Sequence, residues 1–224
     1  WLSENGYSNI SERDIRKIKS PRYDTNTKTA EMMLTDDEVK SIVAACNNSR
    51  DRAFIMMLYE GGFRIGELAN LTWSQVKIDE DFALINVSGK TEIPRLVPCR
   101  DAKTYLLQYM NDYQIPTPPP RDALVFWVIW KGQRVQMTYN GMAKAIKEAA
   151  QRAGVQKRVT PHIFRHSSIT QAVKDGMGEQ VIKSIYWGNS DTSMLRTYSH
   201  ITGEDIINAV KERYGIETEP RKKK

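Results

Sequence analysis

The sequence predicts a mainly α domain with a small antiparallel β-sheet. Three observations carry this. Apolar residues recur at helical spacing in the stretches before residue 70 and after residue 100. Two neighbouring runs between them read as strands. Turn-forming residues separate all of these segments.

Taken in order, residues 1–33 read as a short helical piece and a polar linker, because Ser20-Pro21 and the stretch Asp24 to Thr29 break any periodicity. Thr35-Asp36-Asp37-Glu38 then has the form of a capping box, with Thr at the N-cap and Glu three residues on. The helix it opens carries Val39, Ile42, Val43 and Cys46 on one stripe. A second helix is expected over 52–60 with Phe54, Met57 and Leu58 inward, stopped by Gly61-Gly62. A short one follows over 65–70. Residues 82–87 and 93–98 read as two strands joined as a hairpin by Ser88 to Glu92. A third strand is expected over 125–130, set off by the loop Pro116 to Pro120. Helices are expected over 101–113, 139–153, 162–175, 179–187, 191–198 and 204–214.

A chain of 224 residues holds one large domain, or one domain plus part of another. With 40% hydrophobic and 27% charged residues it has the composition of a soluble globular protein. The longest compact apolar stretch, Leu124 to Trp130, is far too short to cross a bilayer. No signal peptide is visible, and without an initiator methionine Trp1 is expected to open a fragment of a longer protein. Cys46 and Cys99 stand alone, so a zinc site is not expected. A reduced, cytoplasmic protein fits them better than a disulfide.

The net charge is +6, and its distribution is more telling. From Lys131 to His166 there are eight basic residues (Lys131, Arg134, Lys144, Lys147, Arg152, Lys157, Arg158 and Arg165) against the single acid Glu148. Such a block suits a polyanionic partner, because neutralised phosphates release counterions. A solvated helix face accounts for the charge equally well. The terminal Arg221-Lys222-Lys223-Lys224 run reads as a basic disordered tail over 216–224.

Four features could carry chemistry, each weak alone. Arg64, in Arg64-Ile65-Gly66-Glu67-Leu68 after a double glycine, could present its fork to a phosphate. By itself, pairing with Glu67 or Glu60 is the better reading. In His162-Ile163-Phe164-Arg165-His166, residues i and i+3 place His162 and Arg165 on one helix face, a proton-transfer group beside a charge clamp. His166 lies one turn from His162, but no acid or cysteine is near, so metal is not expected. Lys90, in the hairpin turn Gly89-Lys90-Thr91, is of a kind usually only solvated, yet a flexible amine can protonate a leaving oxygen. Tyr198 is of a kind far more often core or rim than nucleophile.

The order of these features changes their weight. Arg-Ile-Gly-Glu-Leu, a hairpin lysine, His-x-x-Arg-His and a tyrosine 33 residues later together resemble the signature of the tyrosine recombinase (phage integrase) family, over roughly Thr35 to Tyr214. Leu71-Thr72-Trp73 after the first arginine and Trp187-Gly188-Asn189-Ser190 before the tyrosine add to the resemblance. It implies that 1–33 ends a preceding DNA-binding domain with its linker and that 34–215 is a catalytic domain of the tyrosine recombinase fold. It also implies a chemistry. Arg64 and Arg165 clamp a DNA phosphate, and Tyr198 attacks it with His162 as base. Lys90 protonates the leaving 5′-oxygen. No metal or nucleotide cofactor is needed.

One position departs from the family pattern. Asn189, nine residues before the tyrosine, stands where His or Trp is usual; its amide can donate to a phosphate oxygen but cannot exchange a proton. The implied partner is double-stranded DNA, bound by a homotetramer, with a monomer left open for the chain in isolation. The implied location is the nucleoid in the cytoplasm, away from membranes. The final helix, with Ile206, Ile207, Val210 and Tyr214 on or near one face, packs either on a neighbouring protomer or on its own domain. Two other functions stay open: a DNA-binding homologue with weak or lost catalysis, and a type IB topoisomerase.

Overall fold

The computed structural model describes residues 30–88, 94–188 and 203–216. Lys90, Asn189, Tyr198, the hairpin turn and the helix expected over 191–198 lie outside the described residues, as do nearly all of the expected linker and tail. The chain divides into two units between Ala30 and Glu31, and the second holds all the described α-helices and strands.

Helix α1 (Asp36–Ala44) begins at the expected capping box: the Thr35 hydroxyl accepts the Glu38 N–H, and the Glu38 carboxylate accepts the Thr35 N–H at 2.8 Å. Two donors that the first turn of any helix leaves unpaired are thereby satisfied. Its stripe of Val39, Ile42, Val43 and Cys46 is buried, as expected. Helix α2 (Ser49–Glu60) starts three residues earlier than its apolar pattern suggests, because Asn48 caps it by accepting the Asp51 N–H at 2.8 Å. Phe54, Met57 and Leu58 are fully enclosed, each contributing roughly 1.5–3 kcal/mol by removal from water. Gly61 ends the helix, and Gly62 turns the chain at φ +55 into α3 (Ile65–Ala69).

Strand β1 (Val76–Ile78), which the sequence pattern does not reveal, adds an edge to the expected hairpin of β2 (Ala83–Ser88) and β3 (Pro94–Cys99). The three are antiparallel, with Ile85 opposite both Val76 and Val97, and the last described pair is Ser88 with Pro94. The third expected strand is corrected. Only Trp127–Trp130 is a strand, β4, and it pairs with β5 (Gln133–Gln136) in a separate two-stranded sheet. Leu124 and Val125 instead bond to the segment after α3, with the Val125 N–H on the Leu71 carbonyl at 2.8 Å.

Helix α4 (Asp101–Asp112) lies along α2, and between them Phe126 meets Phe54 edge-on and stacks on Tyr109. At its start the N–H groups of Arg100, Asp101 and Ala102 all point to the carboxylate of Glu60. Helices α5 (Tyr139–Arg152), α6 (Pro161–Lys174), α7 (Glu179–Trp187) and α8 (Gly203–Arg213) complete the described elements. Helices α7 and α8 rest on β3, and α6 packs on α2 and α7.

Helix α8 packs on its own domain in this chain. Ile206 and Val210 are buried, and the Tyr214 hydroxyl donates to Glu60 at 2.8 Å. Lys211 and Arg213 pair with Asp81 and Asp175, both at 2.7 Å. No helix among the described residues is long and apolar enough to cross a membrane.

Candidate active site: a buried arginine cluster

Folding splits the basic block that the sequence shows as continuous. Lys157 is spent on Glu38 at 2.7 Å and Arg152 on the Ala45 carbonyl at 2.8 Å, while Arg134 lies over the Trp127 ring at 4.3 Å. Lys144 faces Glu148 on its own helix, an exposed pair worth little. Arg165 alone of these goes inside. The charge that matters to the site is therefore local and drawn from distant parts of the chain.

Arg64 occupies the N-cap of α3, directly after the glycine bend. Its Nη1 donates to Glu67 Oε1 at 3.0 Å, the pairing its local sequence suggests, and its side chain stays 43% exposed. Glu67 reaches back one turn, so that its other oxygen accepts the Arg64 backbone N–H at 2.7 Å. This carboxylate fixes both the helix start and the arginine above it. Glu60, the other expected partner, is instead committed to capping α4.

Arg165 projects from α6 into the interior, where it is only 8% exposed. Nη1 donates to the Gly62 carbonyl and Nη2 to the Tyr186 carbonyl, and the guanidinium lies 5.7 Å from the Tyr186 ring centre and 5.5 Å from that of Trp187. Helix α6 itself starts locally: the Thr160 hydroxyl accepts the Ile163 N–H, and Pro161 fills the first position, where no N–H is needed.

Burial, and after it the charges of Arg95 and Arg64, pull the Arg165 guanidinium down to about 10, with Glu67 acting in the opposite sense. Arg95 is also lowered, first by burial, and the Arg64 charge adds to that. Three guanidinium groups therefore share one field around one buried carboxylate. Burying charge without full compensation costs several kcal/mol per ion. A partly enclosed concentration of positive charge of this kind makes the cluster a candidate anion site.

Arg95 is the residue that sequence reasoning missed. Its side chain is 1% exposed and paired with Glu67. A legible signal existed: strand alternation puts Arg95 in phase with Val97 and Cys99, both buried, so an arginine stood at an inward position.

His162 and Arg165, expected on one face, share a helix but not an environment. The imidazole is exposed in the first turn while the guanidinium is enclosed. A helix advances about 300° over three residues, which separates two side chains by roughly a sixth of a turn; at the core boundary that is enough to divide inside from outside. His166 is partly buried and has partners of its own. Lys90, Asn189 and Tyr198 lie outside the described residues. Their attachments are described: β2 and β3 flank Lys90, and α7 ends at Trp187, followed by Gly188 at φ 72 and then Asn189. No cluster of three or more His, Cys, Asp or Glu that could hold a metal occurs among the described residues.

Residues 32–205 match the phage integrase family. A tyrosine recombinase from Thermosipho africanus is 28% identical over 206 residues, covering 91% of this chain and 68% of that protein. The crystal structure of XerA recombinase superposes with a TM-score of 0.60 at 28% identity, over 82% of this chain and 64% of that one. A structure of XerH recombinase bound to difH substrate in a pre-cleavage complex gives a TM-score of 0.60 at 19% identity, over 93% of this chain and 61% of that one. The chain thus spans about two thirds of the length of these relatives. The family match, the shared fold and the arginine cluster agree: the chain belongs to the phage integrase family and carries its tyrosine recombinase catalytic domain.

Proposed function

We propose that this chain cuts and rejoins double-stranded DNA at specific sites through a 3′-phosphotyrosine link to Tyr198. The observation that carries the reading is the enclosed Arg165, held by two main-chain carbonyls beside Arg64 and Arg95. Cleavage of a phosphodiester concentrates negative charge on its non-bridging oxygens, and donors fixed in advance stabilise that charge without reorganising. Arg64 and Arg165 fill this role, with Asn189 as a neutral donor. The Tyr198 oxygen forms a bond to phosphorus as the bond to the 5′-oxygen breaks. His162 takes the phenolic proton, and Lys90 gives one to the departing 5′-oxygen. The 5′-hydroxyl of another strand then attacks the phosphotyrosine, restoring the tyrosine and rejoining DNA. The exposure of His162 supports a role at the face DNA would meet.

Residues 34–215 form the catalytic domain in this reading, 1–33 the end of a preceding DNA-binding domain, and the working assembly is a homotetramer on two duplexes in the nucleoid. The test uses a pool of nicked duplexes of randomised sequence, in which cleavage traps the protein covalently. The chain is expected to form an adduct that survives denaturant, and Tyr198→Phe to form none while still shifting DNA in a gel. Adduct from Tyr198→Phe rejects the nucleophile; binding with no adduct from either protein makes this a DNA-binding homologue without catalysis.

A further inference from the structure

We propose that Arg95 is a positioning residue for DNA cleavage, acting through Glu67 to keep the Arg64 guanidinium available to phosphate. The inference rests on the role given above to Arg64. Arg95 stands on β3 and joins three elements from there. Nη2 pairs with Glu67 Oε2 on α3, Nη1 donates to the Ile185 carbonyl at 2.7 Å at the end of α7, and the guanidinium lies 5.4 Å from the Phe63 ring centre. Its Nε is buried without a hydrogen-bond partner.

The last carbonyls of a helix have no partner within it and carry the negative end of its dipole. At the end of α7, Arg95 takes the Ile185 carbonyl and Arg165 takes that of Tyr186. These two guanidinium groups thus hold the point from which the chain runs on to Asn189 and then Tyr198. Arg95 also lies in the strand that leaves the Lys90 hairpin.

The division of Glu67 gives the effect a direction. One carboxylate serves two arginines: Arg95 from inside, 1% exposed, and Arg64 from the surface, 43% exposed. With Arg95 in place, part of the carboxylate charge is already answered, and the Arg64 fork keeps donors for an incoming phosphate. Without it, a carboxylate that is only 8% exposed has Arg64 as its remaining ion-paired partner, and a buried anion that loses one partner holds the other more tightly. Arg64 would then be drawn towards Glu67 and away from DNA.

Arg95→Lys tests this, because it keeps the charge and loses the planar fork that reaches Glu67 and Ile185 together. Adduct formation on the nicked pool is measured at saturating DNA for the unaltered chain, Arg95→Lys, Arg64→Ala and the double variant, with melting curves and DNA affinity alongside. Arg95→Lys is expected to slow adduct formation about tenfold or more with affinity little changed, and to add no further loss in the Arg64→Ala background, as two residues in one linkage should behave. An unchanged rate in Arg95→Lys overturns the proposal, as does an equal fractional loss with and without Arg64. If Arg95→Lys fails to fold, Arg95→Gln decides by the same pair of comparisons, since it removes the buried cation that answers Glu67 and keeps a hydrogen-bonding side chain on β3. Absence of adduct from the unaltered chain would overturn the cleavage function itself, and this inference with it.

Discussion

Gly62 and Gly176 occupy the same position in two helices, the second residue past the end of α2 and of α6, at φ +55 and +75. Both conformations favour glycine, and an alanine there costs about 1–2 kcal/mol for its Cβ alone. The surroundings differ. A Cβ on Gly176 meets nothing within 4 Å, whereas one on Gly62 falls 2.2 Å from Cε1 and 2.6 Å from Cδ1 of Tyr186. That ring cannot simply swing aside: it is 1% exposed, and its hydroxyl is hydrogen-bonded to Ser168 at 2.6 Å. Forcing a packed core to accommodate extra atoms adds about 1–3 kcal/mol. Gly176→Ala is therefore expected to lose about 1–2 kcal/mol and Gly62→Ala about 2–5 kcal/mol. Urea unfolding measures both, with the midpoint falling and the slope unchanged. Equal losses in the two variants, or a Gly62→Ala within ~0.5 kcal/mol of the parent, would refute the claim that the glycine bend is fitted to Tyr186. The same contact matters to the site, because the Gly62 and Tyr186 carbonyls are the two that hold Arg165.

Arg64→Ala and Arg165→Ala should each lower adduct formation at least ~100-fold, the loss expected for one preorganised donor to a charged transition state; a parental rate in either contradicts the phosphate clamp. Asn48→Ala removes the side-chain acceptor for the Asp51 N–H and should destabilise by about 1 kcal/mol in a urea titration, whereas no change would mean that solvent caps α2 equally well. Burial raises the Cys46 thiol from 9.0 to about 11 and moves Cys99 the same way. Both should resist alkylation at pH ~8 until the chain is unfolded, and labelling of the folded chain at the rate of a free thiol would show the core to be open. The linkage has a definite sign: a folded-state value raised above the unfolded one gives stability that is intact at neutral pH and declines as pH rises from 9.0 towards about 11. Cys46→Ala should flatten that decline, and parallel curves for the two proteins would count against it.

The legible parts of this fold are those whose causes are local. The capping box at Thr35 and Glu38, the Thr160-Pro161 start of α6 and the strand pair around Ile85 and Val97 each rest on contacts within a few residues or across one hairpin. The differences have particular reasons. The apolar pattern sets the start of α2 too late because its first turn, Ser49 to Arg52, carries no apolar stripe and depends on the Asn48 cap instead. Strand β5 escapes an apolar search because Gln133–Gln136 is mostly polar, although Lys131-Gly132, both at positive φ (49 and 77), are the two central residues of a tight hairpin turn after β4.

Arg64, Arg165 and the order of motifs around them were legible in the sequence alone, and with them the family, because catalytic chemistry requires particular side chains in a particular succession. Tertiary structure decided which charges act together. It spent Lys157 and Arg152 on ordinary packing, took Arg165 inside, and added Arg95 from a strand where only the alternation with Val97 and Cys99 marked it as inward. The reason is one of range. Caps, turns and strand alternation are decided between near neighbours, whereas the field at Arg165 is a sum over groups 70 and 101 residues away in the chain, Arg95 and Arg64, which only folding brings near.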